Sequence, residues 1–111
     1  MITYDDFRKV DMRVGRVLSV EDFPEARKLS YKLKIDFGRE IGIRKSSAQI
    51  TGYRKRELVG KLVIGVVNFP LKIIAGFQSE VLTLGVADSS RPNNWFLVQP
   101  ERDVELGTRV E

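Results

Sequence analysis

The sequence predicts a small all-β barrel with short helices between its strands, and three observations lead there. From Leu29 to Phe37 the residues alternate: Leu29, Tyr31, Leu33, Ile35 and Phe37 face one way, and Ser30, Lys32, Lys34 and Asp36 face the other. Leu62-Val63-Ile64-Gly65-Val66-Val67 is an almost unbroken apolar run bounded by Gly and Pro, which reads as a strand buried on both faces. One short helical stretch separates the two, so the order is strands, a helix, then strands again.

Taken in order, Asp5-Asp6 can cap a helical turn through Phe7 to Val10, with Phe7 and Val10 on one side. A strand follows from Met12 to Val20, in which Gly15 marks a bulge or a close backbone approach. Asp22-Phe23-Pro24-Glu25 is a loop, because Pro24 lacks a ladder donor and biases Phe23 towards extended geometry. The alternating segment is then a half-buried strand with a cationic outer face. Gly38 turns the chain, and Ile41-Gly42-Ile43-Arg44 begins a strand that ends near Ser46-Ser47.

Tyr53 to Gly60 reads as a helical turn or two, with Leu58 and Val59 inward and Gly60 as its stop. After the buried strand come Asn68-Phe69-Pro70, a basic turn at Leu71-Lys72, and a strand at Val81-Leu84. Ser89 to Asn94 is a polar turn, Trp95 to Val98 a last apolar strand, and the tail turns at Gly107. This order is compatible with a five-stranded Greek-key barrel of the oligonucleotide/oligosaccharide-binding (OB) type. Composition by itself leaves all-β and α+β barrels both open.

With 111 residues the chain is one domain, 1–111, large enough for a real core. Its 42% hydrophobic and 31% charged residues describe a folded globular protein rather than a disordered one. No apolar run approaches the ~18–20 residues of a membrane span. The first residues, Met1-Ile2-Thr3-Tyr4-Asp5-Asp6, are acidic where a secretory signal is basic and then apolar. Without Cys there are no disulfides and no thiolate chemistry. Without His the commonest general base and the commonest metal ligand are both missing, and no Gly-rich phosphate loop replaces them. A cytoplasmic binding protein with no cofactor is the expectation, rather than an enzyme.

Net charge is +4, enough to favour a polyanion only where it is focused. Acidic residues gather near the ends, whereas from Arg27 to Lys72 the cations face only Asp36, Glu40 and Glu57. A polyanion footprint on that central region follows. Within it Lys28, Lys32 and Lys34 are either the binding face or simply a solvated strand face. Arg13 is either a ligand contact or the partner of a nearby acid. Arg54-Lys55-Arg56, beside Glu57, reads most simply as a solubilising helix face.

Asn68, Lys72, Ser79 and Glu80 stand between apolar strands, where packing alone gives them no reason to be. Ser79 can donate to a phosphate or base and Glu80 can accept from an amine, or Glu80 can merely orient a cation such as Lys72 or Arg13. Phe69, Phe77 and Tyr53 offer faces for base stacking, although Phe77 can equally be core.

Several spaced motifs resemble the tRNA-binding domain family, a barrel found in a secretion chaperone, in small tRNA-binding proteins and appended to methionyl- and phenylalanyl-tRNA synthetases. They are Asp11-Met12-Arg13-Val14-Gly15-Arg16-Val17, Phe23-Pro24-Glu25-Ala26-Arg27-Lys28-Leu29, Asp36-Phe37-Gly38, Ser46-Ser47-Ala48-Gln49-Ile50 and the Leu62–Leu84 stretch. Ser79-Glu80-Val81-Leu82, where relatives more often carry Ser-x-Gly-Met, makes the chain most similar to the secretion-chaperone branch. The resemblance implies an OB-fold barrel with terminal extensions that form a homodimer. It implies tRNA as partner, held by Arg13, Lys28, Lys32, Lys34, Asn68, Lys72, Ser79 and Glu80. The alternative it implies is an export chaperone that holds preprotein peptides, and engages the export machinery, through Phe69, Pro70, Ile74, Phe77 and Glu80.

Overall fold

The computed structural model describes residues 1–111. Helix α1 (Tyr4–Lys9) is capped by Thr3, whose hydroxyl accepts from Asp6 N while the Asp6 carboxylate accepts from Thr3 N. Then come β1 (Met12–Asp22), β2 (Tyr31–Asp36), α2 (Gly38–Ile41), β3 (Ile43–Ala48), α3 (Lys55–Leu58) and β4 (Leu62–Val66). Short strands β5 (Lys72–Ile74), β6 (Phe77–Ser79), β7 (Leu82–Thr83), β8 (Gly85–Ala87) and β9 (Trp95–Leu97) complete the chain. Five strands form one antiparallel sheet in the order β3-β2-β1-β4-β7. Its outer strands β3 and β7 meet, nearly closing a barrel of the OB type. The pairs β5–β6 and β8–β9 are hairpins outside that sheet.

The barrel interior is filled by alternate residues of β2, Tyr31, Leu33 and Ile35, with Phe37 beyond the strand end, Val17, Val63, Val81 and Leu58 of α3. Phe37 lies so close to the neighbouring strands that both have glycine beneath it. A Cβ on Gly15 would sit 2.6 Å from Ile35 Cγ2, and one on Gly65 2.8 Å from Phe37 Cζ. Gly15 is thus the close approach; the bulge falls later in β1, between Val17 and Ser19. A second, smaller cluster of Val14, Leu62 and Ile64 lies on the outer face of β1 and β4, under Leu84, Val98, Leu106 and Val110. β4 is accordingly buried on both faces, as its composition predicts.

Several boundaries differ from expectation. β2 starts at Tyr31 because the Ser30 hydroxyl donates to Lys28 O and turns the chain, leaving Leu29 72% exposed. Val59 is exposed, since α3 ends at Leu58 and only Leu58 points inward. The Leu71–Gln78 stretch is a hairpin, turned by Ala75 and Gly76 at φ 47° and 82°. Two successive positive φ values define the turn whose twist matches a two-residue β-hairpin.

Candidate nucleic-acid interface

The outer face of β2 and β3 carries charged and polar side chains and no apolar cluster like that over β4. Lys32 and Lys34 project there from β2, and antiparallel register sets Lys34 directly opposite Lys45 of β3 and Lys32 opposite Ser47. On the other side Lys32 faces Glu21 and Lys34 faces Ser19 of β1. Like charges directly opposite each other destabilise a strand pair. Lys34 beside Lys45 therefore favours an anion between them.

The loop after β1 and the β5–β6 hairpin wall this face. Phe23, buried, and Phe77, half-buried, meet edge to face with ring centres 5.4 Å apart. Lys32 Nζ lies 4.8 Å from the Phe23 ring centre and 5.5 Å from that of Phe77, and Lys45 Nζ is also 5.5 Å from Phe77. Such contacts hold ammonium groups in place without neutralising them. Glu25, Lys32, Lys45, Phe77, Gln78 and the Ala75-Gly76 turn border an open cleft of about 410 Å³. Aromatic surface and fixed cations at one cleft can meet a base and its phosphate together. No group of three or more carboxylates is placed to hold a metal ion.

The predicted residues separate into two groups. Lys32 and Lys34 share the cationic face, with Phe77 at its edge; Lys72 is exposed on β5, opposite Ser79. Lys28 is exposed in the β1–β2 loop. Phe69 and Pro70 are exposed ahead of the hairpin, and Ile74 is half-buried within it. The polar residues of Leu62–Leu84, by contrast, have structural partners that the sequence does not reveal. Ser79 Oγ accepts from Ser47 N at 3.0 Å, and Glu80 Oε1 accepts from Lys45 N at 2.9 Å while Glu80 N donates to Lys45 O at 2.8 Å. Together with the Ser46 hydroxyl, 3.0 Å from Val81 O, they latch the β3–β7 seam.

Asn68 and Arg13 meet elsewhere, at Asp11. Asn68 Oδ1 accepts from Asp11 N and its amide donates to Lys9 O, clamping α1 to β4. The Arg13 guanidinium pairs with the Asp11 carboxylate and donates to Gly107 O at 3.0 Å, fastening the tail. The Asp11 hydrogen bond raises the Arg13 pKa further above its ordinary value, so this cation is permanently charged and already partnered. Lys45 and Phe23 are the site residues that the sequence-based selection lacked. A register drawn from the β2 alternation through Gly38–Gly42 would have found Lys45 opposite Lys34.

Comparison with known proteins bears on the family and the fold. Residues 12–109 match the family model described as "Putative tRNA binding domain". The chain belongs to this tRNA-binding domain family. Among solved structures it is similar to the CsaA chaperone protein of Picrophilus torridus, with 51% identity, TM-score 0.93 and 100% of both chains covered. It is also similar to chaperone CsaA of Bacillus anthracis, with 43% identity, TM-score 0.91, and 100% of this chain and 99% of that one covered. A curated relative, the methionine–tRNA ligase of Pyrococcus horikoshii, is 35% identical over 114 residues, 98% of this chain. The chain spans 14% of that ligase's length.

Proposed function

We propose that the chain is a non-catalytic tRNA-binding protein, cytoplasmic and homodimeric, that holds RNA phosphates on its β2–β3 face. The observation that carries this is the opposed pair Lys34 and Lys45 beside Lys32, none of the three with an acidic partner among the ion pairs. Phosphates relieve that repulsion, and Phe77 offers an edge for an unstacked base. Binding of this kind releases counterions, so log affinity falls with log salt by about 0.7–0.9 per phosphate neutralised. Titrating tRNA at two salt concentrations measures that slope, and replacing Lys32 and Lys45 together by Glu tests the face. A flat salt response, or a double variant that binds tRNA as tightly as the parent, contradicts the proposal. Exposed apolar residues at the ends of the chain, Met1, Ile2, Tyr4 and Val104, support a contact between copies. A monomer at micromolar concentration in a sizing experiment removes that part.

A second function has its own observation. Phe69, Leu71 and Ile73 are 49%, 49% and 65% exposed and lead into the hairpin that borders the cleft. An apolar ledge of this kind suits an extended preprotein peptide, and two similar structures are chaperones by name. Glu80 is less available to such a peptide than the sequence implies, because Lys45 N already occupies one of its oxygens. Peptide binding should respond weakly to salt and strongly to Ile73→Ser, the reverse of the tRNA pattern.

A further inference from the structure

A different corner of the molecule carries cations and aromatic surface that the cleft does not use. Tyr53 and Phe96 meet edge to face, with ring centres 6.5 Å apart. Phe96, on β9, is 48% exposed. Lys61 Nζ lies 5.9 Å from the Tyr53 ring centre. Neither Lys61 nor Arg54, the residue after Tyr53, takes part in any ion pair. The Arg91 guanidinium lies against Gly52, where a Cβ would come within 2.8 Å of its Nη2. Its only acid is Asp88, 3.8 Å away.

This corner is rigid. The Tyr53 phenol oxygen accepts from Leu97 N at 3.1 Å, and the Tyr53 carbonyl accepts from the Tyr31 hydroxyl at 2.9 Å. Tyr31 precedes Lys32 on β2, so the corner and the cleft are held in fixed relation through the barrel. None of the residues bordering the cleft belongs to the corner.

We propose that the Tyr53–Phe96 corner is a second RNA contact, which takes an unpaired nucleotide. Its base stacks on the exposed ring of Phe96, and the phosphates that flank it reach Lys61, Arg54 and Arg91. A half-exposed ring beside cations, two of which (Lys61 and Arg54) have no acidic partner, is the pattern that follows a nucleic-acid strand, because each nucleotide supplies a π-face and a negative charge together. The inference rests on the tRNA function proposed above and extends it: one structured RNA would touch the protein at two fixed points.

The test titrates the full chain with tRNA and with a short single-stranded oligoribonucleotide, each at two salt concentrations. Phe96→Ala should weaken tRNA about tenfold, within the range a lost stacking contact gives. The pair Arg54→Gln and Lys61→Gln, neither residue part of the barrel core, should lower the salt slope by about 0.7 for each phosphate contact removed. If these variants bind tRNA like the parent while the Lys32, Lys45 double variant does not, the cleft is the only RNA site and the inference is overturned. If the cleft variant also binds like the parent, the tRNA function itself has failed. A sizing run accompanies each titration: a Phe96→Ala chain that changes from dimer to monomer assigns the ring to a contact between copies and overturns the proposal. A corner that binds an acidic peptide and no oligoribonucleotide overturns it equally.

Discussion

β2 and β4 lie in the same sheet, one on each side of β1, yet only β4 has an apolar cluster on its outer face. In β4, Val63 packs into the barrel while Leu62 and Ile64 pack outward beneath Leu84, Val98, Leu106 and Val110. In β2, Tyr31, Leu33 and Ile35 fill the barrel while Lys32 and Lys34 face outward, Lys32 half-buried against the Phe23 and Phe77 rings and Lys34 exposed. The difference comes from the last quarter of the chain. After β7 it crosses over β1 and β4 and returns along β1, where Val14 N donates to Thr108 O and Val110 N to Met12 O. Covering one half of the sheet with apolar side chains leaves the other half charged. Apolar and cationic outer faces are therefore the two consequences of one route of the chain.

The largest effects should be equal on the two sides of that comparison where both are core. Ile35→Ala opens the barrel and Ile64→Ala opens the outer cluster, and each should destabilise by about 2–5 kcal/mol in denaturant unfolding. A cost for Ile64→Ala within the ~0.5 kcal/mol typical of a surface site would break the comparison, because the second layer would then not be a packed core.

Smaller losses are expected at the seam, where side chains rather than a ladder join β3 to β7. Ser79→Ala leaves Ser47 N without its acceptor and Glu80→Ala does the same to Lys45 N, each worth about 1–3 kcal/mol. Glu80→Gln keeps an acceptor oxygen and should lose less. Amide exchange at Lys45 reads this directly: it should quicken in Glu80→Ala and stay slow in Glu80→Gln. An unchanged rate in Glu80→Ala would mean that the seam closes without the carboxylate.

These latches also show where legibility ended. The β2 alternation and the β4 apolar run are patterns within a few residues, and each placed its strand and the faces of that strand. Ser79, Glu80 and Asn68 bond to backbone groups 32, 35 and 57 residues away. Nothing local distinguishes a polar side chain that latches a distant strand from one that awaits a ligand. Lys45 was hidden for a related reason: the turn through Gly38–Gly42 sets the register, and only the register brings Lys45 against Lys34. Family resemblance supplied the barrel and the tRNA expectation, but it could not say which polar residues the framework already uses.

Lys34 separates stability from binding on the charged face. Opposed to Lys45 in the free protein, it is expected to destabilise, and Lys34→Thr should raise stability by about 0.2–1 kcal/mol at low salt. The same substitution should weaken tRNA and lower the salt slope by one phosphate contact. Thermal unfolding and a tRNA titration on one preparation test both signs. A variant that is less stable, or that keeps full affinity, removes the basis for reading the pair as an anion site.

The smallest effect belongs to the covered side, in the loop that closes the β8–β9 hairpin. The Asp88 carboxylate accepts from the Ser90 hydroxyl and amide at 2.6 and 2.9 Å and from Asn94 Nδ2 at 3.0 Å. The Ser90 hydrogen bonds, above all, hold its pKa below the ordinary 3.8. A carboxylate with a lowered folded pKa stabilises fully above its unfolded value, and that stabilisation fades as pH falls through the folded value. The stability difference between the parent and Asp88→Asn should thus be constant at neutral pH and shrink once pH drops below 3.8. Because Trp95 and Leu97 of β9 pack against the barrel core, the loss should appear first as loosening of this hairpin, visible in Trp95 fluorescence. A difference that persists unchanged well below pH 3.8 would show that Asp88 acts through shape and not through charge.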